Sequence, residues 1–233
     1  MIGVQTAQPE PGLALRLREG TRRAHRWIER LAVVRSMLRG VLNIHQYQRL
    51  LLDLHAVYGA LESELRAQQL RPAVAPLVLP ALFRHAAIAD DLDFLVRRVR
   101  SDWRMMPISA AALRYCQRLR QISERSPELL AAHCYTRYLG DLSGGPILRR
   151  MAGLALGLDR SGGLAYYDFP EIADVAAFKK DFRQRIDGLP LSEDQRCQVI
   201  AEAVRAFELS GALFESLSVP ALRQPHAELV ASV

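Results

Sequence analysis

Tyr135-Thr136-Arg137-Tyr138-Leu139-Gly140-Asp141-Leu142-Ser143-Gly144-Gly145 decides how this chain is read. It starts with the composition of a helix and ends in one that a helix resists, with three glycines inside six residues and an acid among them. Each interior glycine costs a helix about 1 kcal/mol relative to alanine. A segment that carries this cost either bends or brings its backbone close to another body. Asp141 between glycines suits a turn. In a buried setting the same carboxylate needs partners, ordered water among them, and Tyr58 and Arg137 are candidates.

Just upstream, Ser126-Pro127-Glu128 has the form of a helix start: an N-cap, proline at the first helical position and an acid that complements the dipole. The helix so opened contains the glycine stretch and resumes through Met151 to Leu156. Almost every other segment has helical periodicity, and none sustains alternation with period two. A first helix is expected from about Leu13 to Leu38, with Leu13, Leu17, Ala24, Ile28 and Leu31 as its apolar stripe. Asn43 with Gln46 is a capping box for a second helix through Tyr47, Leu54, Tyr58 and Leu65. A third is expected over Ala81 to Arg100, and Ser109 caps a fourth to about Ile122. After that helix, Gly157 to Pro170 reads as a loop. A further helix spans about Asp174 to Ile186, and a capping box of Ser192 with Gln195 opens the last one, to about Leu217.

The expected fold class is therefore all-α, with connectors too short for a domain linker. The domain covers residues 13–217, between a disordered N-terminal tail at 1–12 and a flexible C-terminal tail at 218–233. Half of the residues are hydrophobic and 24% are charged, which permits a sizeable core and excludes general disorder. No apolar run approaches the roughly 20 residues that span a bilayer, and no signal pattern opens the chain. The expectation is a soluble cytoplasmic protein with no membrane association.

Cys116, Cys134 and Cys197 lie far apart and form no Cys-x-x-Cys, so neither a disulfide framework nor a zinc site is indicated. They read as reduced thiols packed as small apolar residues. The net charge of +6 calls for an anionic partner. The arginines are spread over amphipathic segments without an aromatic-basic module, which argues against nucleic acid and for an anionic small molecule and an acidic protein.

Chemistry-bearing residues group by helical spacing. Arg18, Arg22, His25 and Glu29 follow one another at four, three and four, and so share a face of the first helix. A lone histidine is ordinarily a surface or core residue. Here an imidazole could ligate a metal through one nitrogen while Glu29 holds the other. Lys179, Lys180 and Arg183 make a second basic run, which by itself reads as a solvated helix face. Phe207 and Phe214, seven apart, face the core or a pocket. No Ser-His-Asp order, phosphate-cradling loop or His-Glu-x-x-His is present.

Together these features resemble the heme oxygenases. Tyr135 to Gly145, extended back through Pro127-Glu128-Leu129-Leu130 and Ala132-His133, is similar to their signature. Leu17-Arg18-Glu19-Gly20-Thr21 with His25 and Glu29 resembles their proximal helix, and Phe169-Pro170, Phe178-Lys179 and Arg183 their propionate-side segment. The resemblance covers residues 13 to 217. It implies a single-domain heme oxygenase fold with heme between a proximal helix and a kinked, Gly-rich distal helix. It also implies oxidative cleavage of heme by O2 to biliverdin, CO and ferrous iron. Heme b (iron protoporphyrin IX) would be both cofactor and substrate, with electrons from an acidic donor such as a ferredoxin, a flavodoxin or their reductase.

By the same resemblance His25 is the iron ligand. Gly140 and Gly144 are the distal glycines, and Asp141 is the acid that orders water, with Arg137 and Tyr58 in its network. Arg18, Arg22, Lys179 and Arg183 are propionate cations, Tyr135 lies near a propionate, and Glu29, Phe207 and Phe214 complete the heme contacts. The chain departs from the family pattern at Pro146, where glutamine is usual, and at Ser210, often asparagine. Arg18 and Arg22 stand where some members have lysine, and Trp27 is a bulky neighbour of His25. Two alternatives differ in class: a non-catalytic heme carrier or sensor on the same fold, and a thiaminase-like hydrolase using Cys134.

Overall fold

The computed structural model describes residues 11–159 and 161–217. The expected tails at 1–12 and 218–233 lie outside the described residues apart from Pro11 and Gly12. The described elements are helical and pack around one apolar core.

Helix α1 runs Leu13–Arg30 and buries Leu13, Ala14, Leu17 and Thr21. The single helix expected to reach Leu38 divides at Leu31, whose ψ of 136° is not helical, and α2 follows as Ala32–Leu38. No Gly or Pro marks the break. The turn swings Val33, Val34 and Met37 into the core, so tertiary packing overrides an unbroken helical period. The start of α1 has no local side-chain cap, and its Ala14 N–H is held instead by Asp187 Oδ1 at 2.7 Å.

Helix α3, Ile44–Ala67, starts on the expected capping box: Gln46 N–H meets Asn43 Oδ1 at 2.9 Å, and Asn43 N–H meets Gln46 Oε1 at 3.3 Å. It buries Tyr47, Leu50, Leu51, Leu54, Tyr58, Leu61 and Leu65. Each fully buried leucine contributes about 1.5–3 kcal/mol relative to exposure. Helix α4 is His85–Val99, beginning four residues later than expected because Pro80–Leu82 is a separate 3-10 turn. Buried Glu62 of α3 supplies its cap, accepting from the N–H groups of Arg84 and His85 at 2.5 and 3.0 Å. Helix α5, Ala110–Arg125, starts on Ser109 as expected, through a 3.0 Å bond from Ala112 N–H.

The distal segment departs from its expected start. Ser126 makes no side-chain cap, and Pro127–Leu129 is a 3-10 turn. Helix α6 is Leu130–Cys134, Tyr135–Leu139 is a five-residue π turn, and α7 is Gly140–Leu156. The bend of this joined helix has two local causes: the π turn widens one end, and Pro146 inside α7 lacks the N–H that the preceding turn would take. In the connector after α7, Gly162 and Gly163 have φ of 148° and 87°, and a Cβ at either would crowd Phe94 of α4. That connector is not wholly irregular, since Ala165–Tyr167 forms a 3-10 turn. Helix α8, Val175–Asp187, is capped by Asp174, and α9, Glu193–Ser216, opens on the expected Ser192–Gln195 capping box. Helix α9 lies along α1, α5 and α6, while α3 packs on α4 and α5. No helix among the described residues is long and apolar enough to cross a membrane.

Candidate active site

Between α1 and α7 lies a cavity of about 790 Å³. That is within the roughly 300–1,000 Å³ of pockets that enclose small molecules. One wall is α1, with Arg18, Arg22, His25 and Glu29 all on its lining. The i,i+4 geometry places His25 Nδ1 3.5 Å from Glu29 Oε1, and both side chains are more than half exposed, at 58% and 56%. Nε2 is then the nitrogen left for a ligand. Phe207 of α9 meets the imidazole edge-to-face, with ring centroids 5.7 Å apart. Trp27 is not part of the cavity and covers Gly211 of α9 instead.

The opposite wall is the start of α7. A Cβ built at Gly140 or Gly144 would meet no atom within 4 Å, although both residues line the cavity. Their missing side chains leave bare backbone facing open space, as a flat ligand requires.

Asp141 is held on both oxygens. Tyr58 of α3 donates to Oδ2, and Tyr166 donates to Oδ1 at 2.7 Å. Arg137 lies one link further back, donating through Nε to Tyr58 Oη at 3.1 Å and through a terminal nitrogen to Tyr166 Oη at 3.3 Å. The other terminal nitrogen is 3.5 Å from Ser210 Oγ. Burial leaves the Asp141 carboxyl above its ordinary range, only partly offset by the charge of Arg137 and the two phenol hydrogen bonds.

Most of the expected site residues meet at this cavity. Arg18, Arg22, His25, Glu29, Tyr135, Arg137, Gly140, Asp141, Gly144, Arg183, Phe207 and Phe214 line it. Tyr58 does not, because it is fully buried behind Asp141. Lys179 is also off the lining; its carbonyl accepts a hydrogen bond from Arg183 at 3.2 Å. Cys134 is fully buried, and burial pushes its thiol well up, so it does not serve as a nucleophile. Cys116 is buried as expected, but Cys197 is exposed.

Sequence reasoning missed two sets of residues. Tyr166 sits in a segment taken for loop, and its only signal was a Tyr-Tyr pair between glycines and a proline. The second set lies behind the distal helix, where fully buried His133 contacts Tyr115 Oη at 3.2 Å and Glu202 at 3.1 Å. Arg118 completes it with bonds of 2.9 and 2.5 Å to the two Glu202 oxygens. Burial alone would raise Glu202, but the hydrogen bonds from Arg118 and His133 overcome it and hold the carboxyl at about 2.

Among the described residues no group of three or more His, Cys, Asp or Glu side chains could hold a bare metal ion. His25 therefore suits a metal that arrives with its other ligands in a macrocycle. An apolar cavity with one imidazole, exposed arginines for carboxylates and a bare glycine wall fits heme. The family described as heme oxygenase matches residues 11–216.

The chain belongs to the heme oxygenase family.

A heme oxygenase of Pyropia yezoensis is 40% identical over 212 residues, covering 91% of this chain and 88% of its relative. Heme oxygenase 1 of a Synechocystis strain is 39% identical over 206 residues, covering 88% and 84%. Among solved structures, heme oxygenase-1 from Synechocystis in complex with heme superposes with a TM-score of 0.83 at 38% identity, covering 89% of this chain and 92% of that one. Heme oxygenase from Leptospira interrogans gives 0.81 at 37%, covering 88% and 100%.

Proposed function

We infer that this chain is a heme oxygenase that converts heme to biliverdin, CO and ferrous iron, using O2 and electrons from an external donor. The observation that carries this reading is the pairing, across one cavity, of an available imidazole with a glycine wall that contains a fixed acid. Heme, when bound, supplies the iron at which O2 is activated and the ring that is opened.

The chain's own residues supply the rest. His25 would hold the iron through Nε2, with Glu29 orienting the ring through Nδ1. Arg18, Arg22 and Arg183, all on the cavity lining, would pair with the propionates, with Tyr135 beside them. Phe207 and Phe214 cover apolar ring surface. Backbone at Gly140 and Gly144 leaves room for O2 beside the macrocycle. Asp141 orders water and passes protons at its carboxyl oxygens, and Tyr58 and Arg137 keep it in place. Lys179, off the lining, takes no direct part in this scheme. The excess of positive charge favours an acidic electron donor, of the ferredoxin or flavodoxin type or their reductase.

A heme carrier would use the His25 wall and would have no use for a buried ring of polar groups around Asp141, whose burial has to be compensated bond by bond. Aerobic incubation of the purified protein with heme and a reductant tests the function. Loss of the heme absorption band with biliverdin released is expected, and isomer analysis gives the site of opening. Heme retained intact under those conditions would overturn the reading in favour of the carrier.

A further inference from the structure

Tyr166 lines the cavity together with Asp141 and Arg137, whereas Tyr58 stands behind them. We propose that Tyr166 is a positioning residue for the distal acid: its phenol closes a ring of hydrogen bonds that keeps Asp141 ionised and presented to the cavity. The proposal rests on reading Asp141 as the distal acid.

The direction of the hydrogen bonds in the ring supports it. A guanidinium can only donate. Arg137 gives one hydrogen to Tyr58 Oη at 3.1 Å and one to Tyr166 Oη at 3.3 Å. Each phenol thus accepts from the guanidinium and has a single hydrogen left. Tyr166 places its hydrogen on Asp141 Oδ1 at 2.7 Å, and Tyr58 places its own on Oδ2. With both phenol hydrogens aimed at it, the ionised carboxyl accepts a charge-assisted bond on each oxygen. Protonating Asp141 would replace those two charge-assisted bonds with weaker neutral ones, and the remaining alternative acceptor for either phenol is the other's Oη at 3.4 Å.

Arg137 makes no direct bond to Asp141, so its charge is handed on through the two phenols. Without the Tyr166 hydroxyl, Oδ1 loses both its donor and its link to the guanidinium, and burial is less opposed. The other charged or titratable groups whose fields reach the carboxyl are Arg84, Tyr138 and Tyr167. None of them bonds to it.

The rest of the residue is anchored independently. The N–H groups of Ala165 and Tyr166 donate to the buried Asp91 of α4 at 2.7 and 2.8 Å, and the Tyr166 ring packs 4.7 Å from that of Tyr167. Removing the hydroxyl alone therefore leaves the ring where it is.

The test uses heme-loaded wild type, Tyr166→Phe and Asp141→Asn. The infrared carboxyl stretch that disappears in Asp141→Asn is assigned to Asp141 and followed against pH. In Tyr166→Phe its midpoint should rise by about one pH unit, a roughly tenfold gain in proton affinity. The acid limb of biliverdin formation should rise with it, and heme affinity by absorption titration should stay within about twofold. Tyr58→Phe, which opens the ring at Oδ2, should move the midpoint in the same direction.

Superimposable midpoints in wild type and Tyr166→Phe would overturn the proposal. So would a tenfold loss of heme affinity with an unmoved midpoint, because Tyr166 would then be only a wall of the pocket. The distal-acid reading fails separately, if Asp141→Ala forms biliverdin at the wild-type rate.

Discussion

The two walls of the cavity are built in opposite ways. On α1, His25 and Glu29 are 58% and 56% exposed and share a single contact of 3.5 Å. Opposite them, Asp141 is bonded at both oxygens, and Arg137 is bonded to both of the phenols that hold it. A second buried set, His133 with Glu202 and Arg118, stands behind α6. The α1 wall leaves its polar groups open, and the α7 wall holds its own through internal bonds. The division suits the proposed chemistry. An iron–imidazole bond is strong enough to order its own side chain, whereas steering protons depends on dipoles already fixed in a dry setting.

This contrast can be broken from either side. His25→Ala removes the proposed iron ligand of the open wall, so turnover and the ligated heme spectrum should both be lost, with the helical circular dichroism unchanged. Asp141→Ala should leave the heme spectrum close to wild type and lower biliverdin formation by about 100-fold, measured by product absorbance, with oxidant diverted from ring opening. Glu202→Ala should show how much of the closed side is structural. It strands a buried histidine and an arginine and should cost about 3 kcal/mol in denaturant unfolding, with little change in heme affinity.

Glu202 also sets a pH window. Its folded pKa of about 2 lies below its ordinary 4.5, so its contribution is complete above pH 4.5 and is lost as the pH falls toward 2. Glu202→Gln should flatten that acid limb of stability.

Two milder changes sharpen the comparison. Gly144→Ala meets no atom in the fold, so it should stabilise the heme-free protein by up to about 1 kcal/mol through helix propensity. The same methyl intrudes on the ligand's space, and heme titration should show weaker binding: the wall is glycine for the ligand and not for the fold. The smallest effect separates the two α8 cations. Arg183→Glu, on the lining, should weaken heme binding by a few-fold, as a partly exposed ion pair worth about 0.3–1 kcal/mol allows. Lys179→Glu, off the lining, should do less.

What could be read from residue order shares one property: the interacting groups lie within a turn or two of each other. The capping boxes at Asn43–Gln46 and Ser192–Gln195 formed as expected, because i,i+3 reach is a property of the local backbone. The clustering of Arg18, Arg22, His25 and Glu29 on one wall follows from helical spacing in the same way. The glycine-rich stretch marked the distal helix because its cost in a helix is local.

The features that escaped join residues far apart in the chain. Glu62 caps α4 from twenty-two positions away, and Asp187 holds the start of α1 across almost the whole domain. Leu31 breaks a helix that its neighbours would continue, because three apolar side chains find the core only after the turn. Tyr166 reaches Asp141 because Asp91 of a different helix fixes its backbone. A buried polar group takes whatever partner packing brings to it, and no periodicity records that partner in advance. Residue order therefore carried the helices and the stripe that lines the cavity, and packing chose the partners of Asp141.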